Sequence, residues 1–166
     1  MIYIGIGGNQ PSARFGSPPA SLEVALVRLA GRGITITARS RWYRTAPLPP
    51  SSQPHYINGV ASARSDLRPA LLLAVLHEIE CEFGRVRGEV NEARCLDLDL
   101  LAYDELVVSE GAASLRLPHP RLAERAFVLA PWAELAPEWR HPLSGLTVQE
   151  MLDALPGDQQ IEVLRP

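Results

Sequence analysis

The chain has 166 residues, 46% of them hydrophobic and 21% charged, with a formal net charge of −3. That length fits one domain with a single real core, and the composition excludes a disordered, collagen-like or coiled-coil chain. No apolar run reaches the roughly 18 residues of a membrane span, and the acidic balance argues against a broad nucleic-acid-binding face. The start, Met1-Ile2-Tyr3-Ile4-Gly5, has no basic n-region, so no secretory signal is expected. Two cysteines, Cys81 and Cys95, fit a reducing cytoplasm and are expected as small core residues. All 16 basic residues are arginine, so every phosphate or carboxylate contact made by a cation falls to a guanidinium fork.

Taken in chain order, Ile2–Ile6 reads as a buried strand ending in the turn Gly7-Gly8-Asn9. Pro18-Pro19 suits a helix start, Leu22, Ala25, Leu26, Leu29 and Ala30 follow at helical spacing, and Gly31 and Gly33 stop the helix. Ile34 and Ile36 alternate with Thr35 and Thr37, predicting a second strand that runs to about Tyr43. Pro47, Pro49, Pro50 and Pro54 make the next stretch an exposed loop of restricted shape. Tyr56–Ala61 is a third strand that can run to Arg64. Leu67–Phe83 is the clearest helix, with Leu71, Leu72, Val75, Ile79 and Phe83 along one stripe, Asp66 as cap and Gly84 after its end. Arg85–Arg94 is polar and reads as a mobile loop. Leu96–Leu100 alternates strictly and predicts a fourth strand, with Glu105–Val108 as a short extra one. Pro118, Pro120, Pro131 and Pro137 divide residues 117–142 into short helices between turns, and Thr147–Leu155 suits a last amphipathic helix.

Strand, helix, strand, strand, helix, strand is the split βαβ order, an α+β sheet of ferredoxin-like βαββαβ type. The C-terminal helical elements are expected over the second sheet face, giving one domain of three layers, α/β/α. That fold alone decides no function.

The most informative residues are Leu96-Asp97-Leu98-Asp99-Leu100. On a strand the leucines face the core, and Asp97 and Asp99 stand together on the other face about 7 Å apart. A solvated polar face is one reading of that pair. The other is a site for Mg²⁺, which favours hard oxygen ligands and completes its shell with water and substrate phosphates. Arg85, Arg87 and Arg94 lie just upstream, either as solvated loop residues or as positive charge brought onto phosphates. His119 is held between Pro118 and Pro120, and its imidazole can donate to a phosphate oxygen. The other histidines show no metal-ligand spacing relative to it. Asn58 offers an amide for the edge of a heterocycle, and Tyr56 and Phe127 offer flat faces for stacking one. Gly7-Gly8-Asn9 lacks the spacing of a dinucleotide fingerprint or a Walker loop.

In order, Gly7-Gly8-Asn9, Tyr43-Arg44-Thr45, Gln53-Pro54-His55-Tyr56-Ile57-Asn58, Ile79-Glu80 with Gly84-Arg85, Arg94 with Leu96-Asp97-Leu98-Asp99, Pro118-His119-Pro120-Arg121 and Arg125-Ala126-Phe127-Val128-Leu129 resemble the 6-hydroxymethyl-7,8-dihydropterin pyrophosphokinase family of folate biosynthesis. The resemblance runs from Tyr3 to about Leu155. It implies attack of the pterin hydroxymethyl oxygen on the β-phosphorus of ATP, with AMP as leaving group. It implies that Asp97 and Asp99 hold two Mg²⁺ ions. It implies that Arg85 and Arg94 stabilise charge during transfer, and that Glu80, Arg87, His119 and Arg125 belong to the ATP site. Thr45, Pro47, Leu48, Tyr56, Asn58 and Phe127 match the pterin pocket. Where many members carry Trp-Gly-Pro before the arginine matching Arg94, this chain has Asn91-Glu92-Ala93, and the loop looks one residue shorter. A cytoplasmic monomer acting on ATP and the pterin is therefore expected. The competing readings are a catalytically weakened pterin- or nucleotide-binding relative and a ferredoxin-like single-stranded RNA-binding module.

Overall fold

Alternation of apolar and small residues builds strand β1 (Ile2–Gly8) into the middle of an antiparallel sheet. The computed structural model describes residues 1–85, 93–109 and 115–165. The other elements are α1 (Pro18–Ala30), β2 (Thr35–Arg39), β3 (Tyr43–Thr45), β4 (Tyr56–Arg64), α2 (Pro69–Glu82), β5 (Asp97–Tyr103), α3 (Ala126–Leu135), α4 (Val148–Asp153) and β6 (Ile161–Val163). The sheet order is β5-β1-β4-β3-β6, with β2 also paired to β4. This is the split βαβ arrangement expected, extended by β6 at the edge.

The two sheet faces are covered by different helices. Ile2, Ile4, Ile6, Leu98 and Leu100 pack with Leu22, Ala25 and Leu29 of α1 and Leu72, Leu76 and Ile79 of α2. Tyr3, Val60 and Leu101 pack with Val128, Leu129 and Trp132 of α3 and Val148 and Met151 of α4. Three layers result, as the sequence predicts. The register of β1 against β5 shifts between Tyr3 and Ile4, where Tyr3 faces Ala102 and Ile4 faces Leu100. Leu101 is the extra residue of this bulge, so Leu101 and Ala102, neighbours in sequence, both serve the α3–α4 core.

Several details differ from the sequence reading. The second strand is broken into β2 and β3 because Ser40 leaves the ladder. Its Oγ accepts from Val60 N at 3.0 Å, and its N donates to Val60 O at 2.9 Å. Helix α2 is started by Pro69 after Arg68, not by an Asp66 cap, since the fixed φ of proline suits a first helical turn. The buried stripe of α2 is then Leu72, Leu76, Ile79 and Glu80, leaving Leu71 54% exposed. Glu105–Val108 makes only an isolated bridge, Val108 to Leu117. Pro131 does not end a helix but lies inside α3, where burial of Val128, Leu129 and Trp132 holds the turn together. Cys81 is exposed and Cys95 only partly covered, so neither is a core residue.

The last amphipathic helix is α4. It opens with a capping box: Thr147 Oγ1 accepts from Glu150 N at 3.1 Å, and Glu150 Oε2 accepts from Thr147 N at 2.7 Å. Among the described residues no helix is long and apolar enough to cross a membrane.

Candidate active site

Asp97 and Asp99 open strand β5 and face the same side as Gly5 and Gly7 of β1, which stand opposite them in the ladder. A cluster of arginines surrounds the pair. Arg85, just after α2, donates to Asp97 Oδ1 at 2.8 Å and also binds Glu80. Arg94 donates to the same Asp97 oxygen at 3.0 Å. Arg125, at the start of α3, lies 3.5 Å from Asp99 Oδ2. Glu80 is 2% exposed and accepts Leu98 N at 2.7 Å, so it ties α2 to the free edge of β5. Burial pushes its carboxyl up to about 7, against the pull of the Leu98 N–H and Arg85. Asp99 is pushed up to about 6, first by loss of solvent and then by Asp97 beside it, while Arg125 pulls it down. Both causes oppose negative charge on Asp99, so a cation beside it would favour the ionised carboxylate.

The turn after β1 fixes Arg94. A Cβ on Gly7 would lie 2.3 Å from Asn58 Oδ1, and one on Gly8 would lie 2.4 Å from Cys95 O. Only glycine lets the Asn58 amide and the Cys95 backbone approach so closely. Asn9 then acts as a clamp. Its N donates to Arg94 O at 2.9 Å, its Oδ1 accepts from Arg94 N at 3.0 Å, and its Nδ2 reaches Gln53 Oε1 and Pro54 O at 3.1 Å each. The amide is 2% exposed, so these bonds must be made. Asn9 and Gln53 thus join the arginine segment to the proline-rich loop, a role the sequence motif did not indicate.

His119 N donates to Leu101 O at 2.8 Å, which docks the Pro-His-Pro segment on the β5 bulge. Its Nδ1 accepts from Arg121 N at 3.2 Å, so the ring proton sits on Nε2. Burial first, then Arg125 and Arg121, lowers its pKa to about 4. At neutral pH His119 is an uncharged Nε2–H donor.

On the other side of Arg125 a cavity of about 300 Å³ is lined by Thr45, Pro47, Leu48, Phe127 and residues 158–161. The Arg125 guanidinium sits 5.4 Å from the Phe127 ring centre, linking cavity and carboxylates. Asn58 does not line the cavity; its Nδ2 donates to Thr45 Oγ1 at 2.7 Å and orients that hydroxyl. Tyr56 also stands outside the cavity wall, its OH on Gln53 Oε1 at 3.2 Å. Residues 158–161 were not foreseen, because nothing in their pattern ties them to residues far upstream. Arg87 and most of the Asn91-Glu92-Ala93 segment lie outside the described residues.

Among the described residues there is no group of three or more His, Cys, Asp or Glu able to hold a metal alone. A pair of carboxylates fits an ion that draws the rest of its shell from water and phosphates, which is the habit of Mg²⁺. Fold and site together define a class. It is a three-layer split βαβ fold that sets a pair of carboxylates and an arginine cluster beside a cavity of mixed polar and apolar lining, a layout for moving a phosphoryl-type group onto a flat acceptor. The model of the 7,8-dihydro-6-hydroxymethylpterin-pyrophosphokinase family matches residues 3–137, and the chain belongs to that family.

Two relatives carry the name 2-amino-4-hydroxy-6-hydroxymethyldihydropteridine pyrophosphokinase. The one from Synechocystis sp. is 41% identical over 90% of this chain and 73% of its own length. The one from Methylorubrum extorquens is 40% identical over 92% of both. Among solved structures, the HPPK-DHPS of Plasmodium falciparum superposes with a TM-score of 0.66 at 11% identity, covering 92% of this chain. This chain spans 43% of that longer one, and at such identity the likeness is one of fold.

Proposed function

We propose that this chain transfers the pyrophosphoryl group of ATP to the hydroxymethyl oxygen of 6-hydroxymethyl-7,8-dihydropterin and releases AMP, with two Mg²⁺ ions held at Asp97 and Asp99. The observation that carries this reading is the meeting of Asp97, Asp99, Arg85, Arg94 and Arg125, with Arg125 reaching the Phe127 ring of the cavity wall. Phosphoryl-type transfer asks for positioning and charge neutralisation more than for a protein nucleophile, since the substrate brings its own hydroxyl. Bound Mg²⁺ would neutralise the phosphate oxygens and polarise the β-phosphorus.

The chain's own groups do the remaining work. Arg85 and Arg94, both directed at one oxygen of Asp97, can exchange that carboxylate for phosphate oxygens as ATP enters. The family resemblance assigns Arg87, which lies outside the described residues, to ATP contact as well. Glu80 holds the edge of β5 and the base of Arg85, keeping both in register. Neutral His119 donates from Nε2 to the nucleotide, and Arg125 neutralises charge beside Asp99. The cavity is of a size for one bicyclic ring. Phe127, Pro47 and Leu48 supply its apolar walls, and Thr45, oriented by Asn58, supplies a polar edge. Tyr56, through Gln53, fixes the loop over it. All of these groups come from one chain, which is why the working form is taken as a monomer, in the cytoplasm where ATP and Mg²⁺ are abundant. An RNA-binding mode needs an open sheet face for base stacking, whereas α1 with α2 and α3 with α4 cover the two faces here.

The test is a product analysis. With ATP, MgCl₂ and hydroxymethyldihydropterin, AMP and the pterin pyrophosphate should form together, and chelation by EDTA should bring AMP to background. ADP as product, or AMP that survives chelation, would contradict the proposal. Pterin binding without any AMP would identify a weakened relative instead.

A further inference from the structure

Helix α3 begins at Ala126 directly after Arg125, and Arg125 offers its amide no side-chain cap. The free N–H groups of a helix start need an outside partner. Here the partner is Gln159, far along the chain. Its Oε1 accepts from Ala126 N at 2.9 Å, and its Nε2 donates to Glu124 O at 2.9 Å. One amide therefore grips the residue before Arg125 and the residue after it. Gln159 itself is held by strand β6. Ile161 pairs with Thr45, Ala46 N donates to Gln160 O at 3.3 Å, Leu164 N donates to Trp42 O at 2.8 Å, and Glu162 binds Arg44 at 2.6 Å.

Two walls of the cavity are joined by this path. Thr45 stands on β3, Phe127 on the first turn of α3, and Gln159 lies between them in the cavity lining. Arg125, bracketed by the Gln159 amide, carries the guanidinium that reaches both Asp99 and the Phe127 ring. We infer that Gln159 is a positioning residue for the pterin pocket, setting the backbone of Arg125 and the ring of Phe127 against Thr45 through β6. The inference rests on the pyrophosphokinase reading. It adds a C-terminal segment, beyond the matched residues 3–137, to the machinery of acceptor binding.

Gln159→Met keeps the length of the side chain and removes both hydrogen bonds, and Gln159→Glu keeps only the acceptor for Ala126 N. Steady-state AMP formation is measured well below the melting temperature, varying pterin and ATP separately. The expected result is a pterin KM raised about tenfold in Gln159→Met. The ATP KM should move less than about threefold: Arg125 passes part of the disturbance to the nucleotide, but Asp97, Asp99, Arg85 and Arg94 are set by β5 and its approach. Gln159→Glu should fall between wild type and Gln159→Met. A simple helix cap would lower the melting temperature and leave the pterin KM within twofold of wild type, and that result overturns the inference. If Gln159→Met does not fold, Gln159→Glu decides by the same criterion. A wild-type protein that makes no AMP overturns the pyrophosphokinase reading and this inference with it; an active wild type with an unmoved variant overturns this inference alone.

Discussion

Asp97→Ala and Asp99→Ala should each slow AMP release by about a thousandfold or more, equivalent to about 4 kcal/mol of transition-state stabilisation. Each carboxylate is proposed to hold the cations that neutralise the triphosphate. The fold should survive both changes. The Asp97 side chain is 30% exposed, and its partners Arg85 and Arg94 are 29% and 18% exposed, so the lost ion pairs are partly solvated and individually weak. Losing Asp97 also removes the repulsion that, after burial, pushes Asp99 upward. Product assays and thermal melts on the two variants check this. A variant within tenfold of the wild-type rate would remove that aspartate from the cation site. A collapsed melting curve would mean the pair is structural.

Gly8→Ala should cost about 2–3 kcal/mol of stability, a fall of about 5–10 °C in melting temperature for a chain of this size. The new Cβ would meet Cys95 O at 2.4 Å and Cys95 C at 3.0 Å, both backbone atoms that no rotamer change can move aside. The end of β1 would have to part from residues 94–95. That parting strains the bonds from Asn9 N and Gln10 N to Arg94 O, now 2.9 and 3.2 Å. Arg94 would shift off Asp97, so kcat should fall along with stability. Gly157→Ala is the control, because nothing lies within 4 Å of its added carbon. If Gly8→Ala melts within a degree of wild type, the turn is looser than this geometry describes.

Much of the fold was legible because its signals are local. The alternation of Leu96, Leu98 and Leu100 with Asp97 and Asp99 set both the strand and the shared face of the carboxylates. The ordered motifs named the arginines, and Arg85, Arg94 and Arg125 do converge on that pair. The unread parts depend on partners distant in sequence. Ser40 breaks the second strand only because Val60 lies opposite. The partners of Asn9 are Gln53, Pro54 and Arg94, 44, 45 and 85 residues away. Gln159 meets Ala126 across 33 residues, and β6 is three residues long, too short for a periodic signal. The sequence suggests Asn58 and Tyr56 as direct edge or stacking contacts. They reach the cavity through Thr45 and Gln53: Asn58 Nδ2 donates to Thr45 Oγ1 and the Tyr56 OH to Gln53 Oε1, and neither residue lines the cavity itself.

The most direct measurement is anomalous diffraction from crystals grown with Mn²⁺ in place of Mg²⁺ and an ATP analogue that resists cleavage between the α- and β-phosphorus. Two peaks are expected at direct-coordination distance, about 2.1 Å, from the carboxylate oxygens of Asp97 and Asp99, with Arg85 and Arg94 turned to the phosphates. Metal peaks elsewhere, with Asp97 still bound by both arginines, would contradict the proposed chemistry at its base.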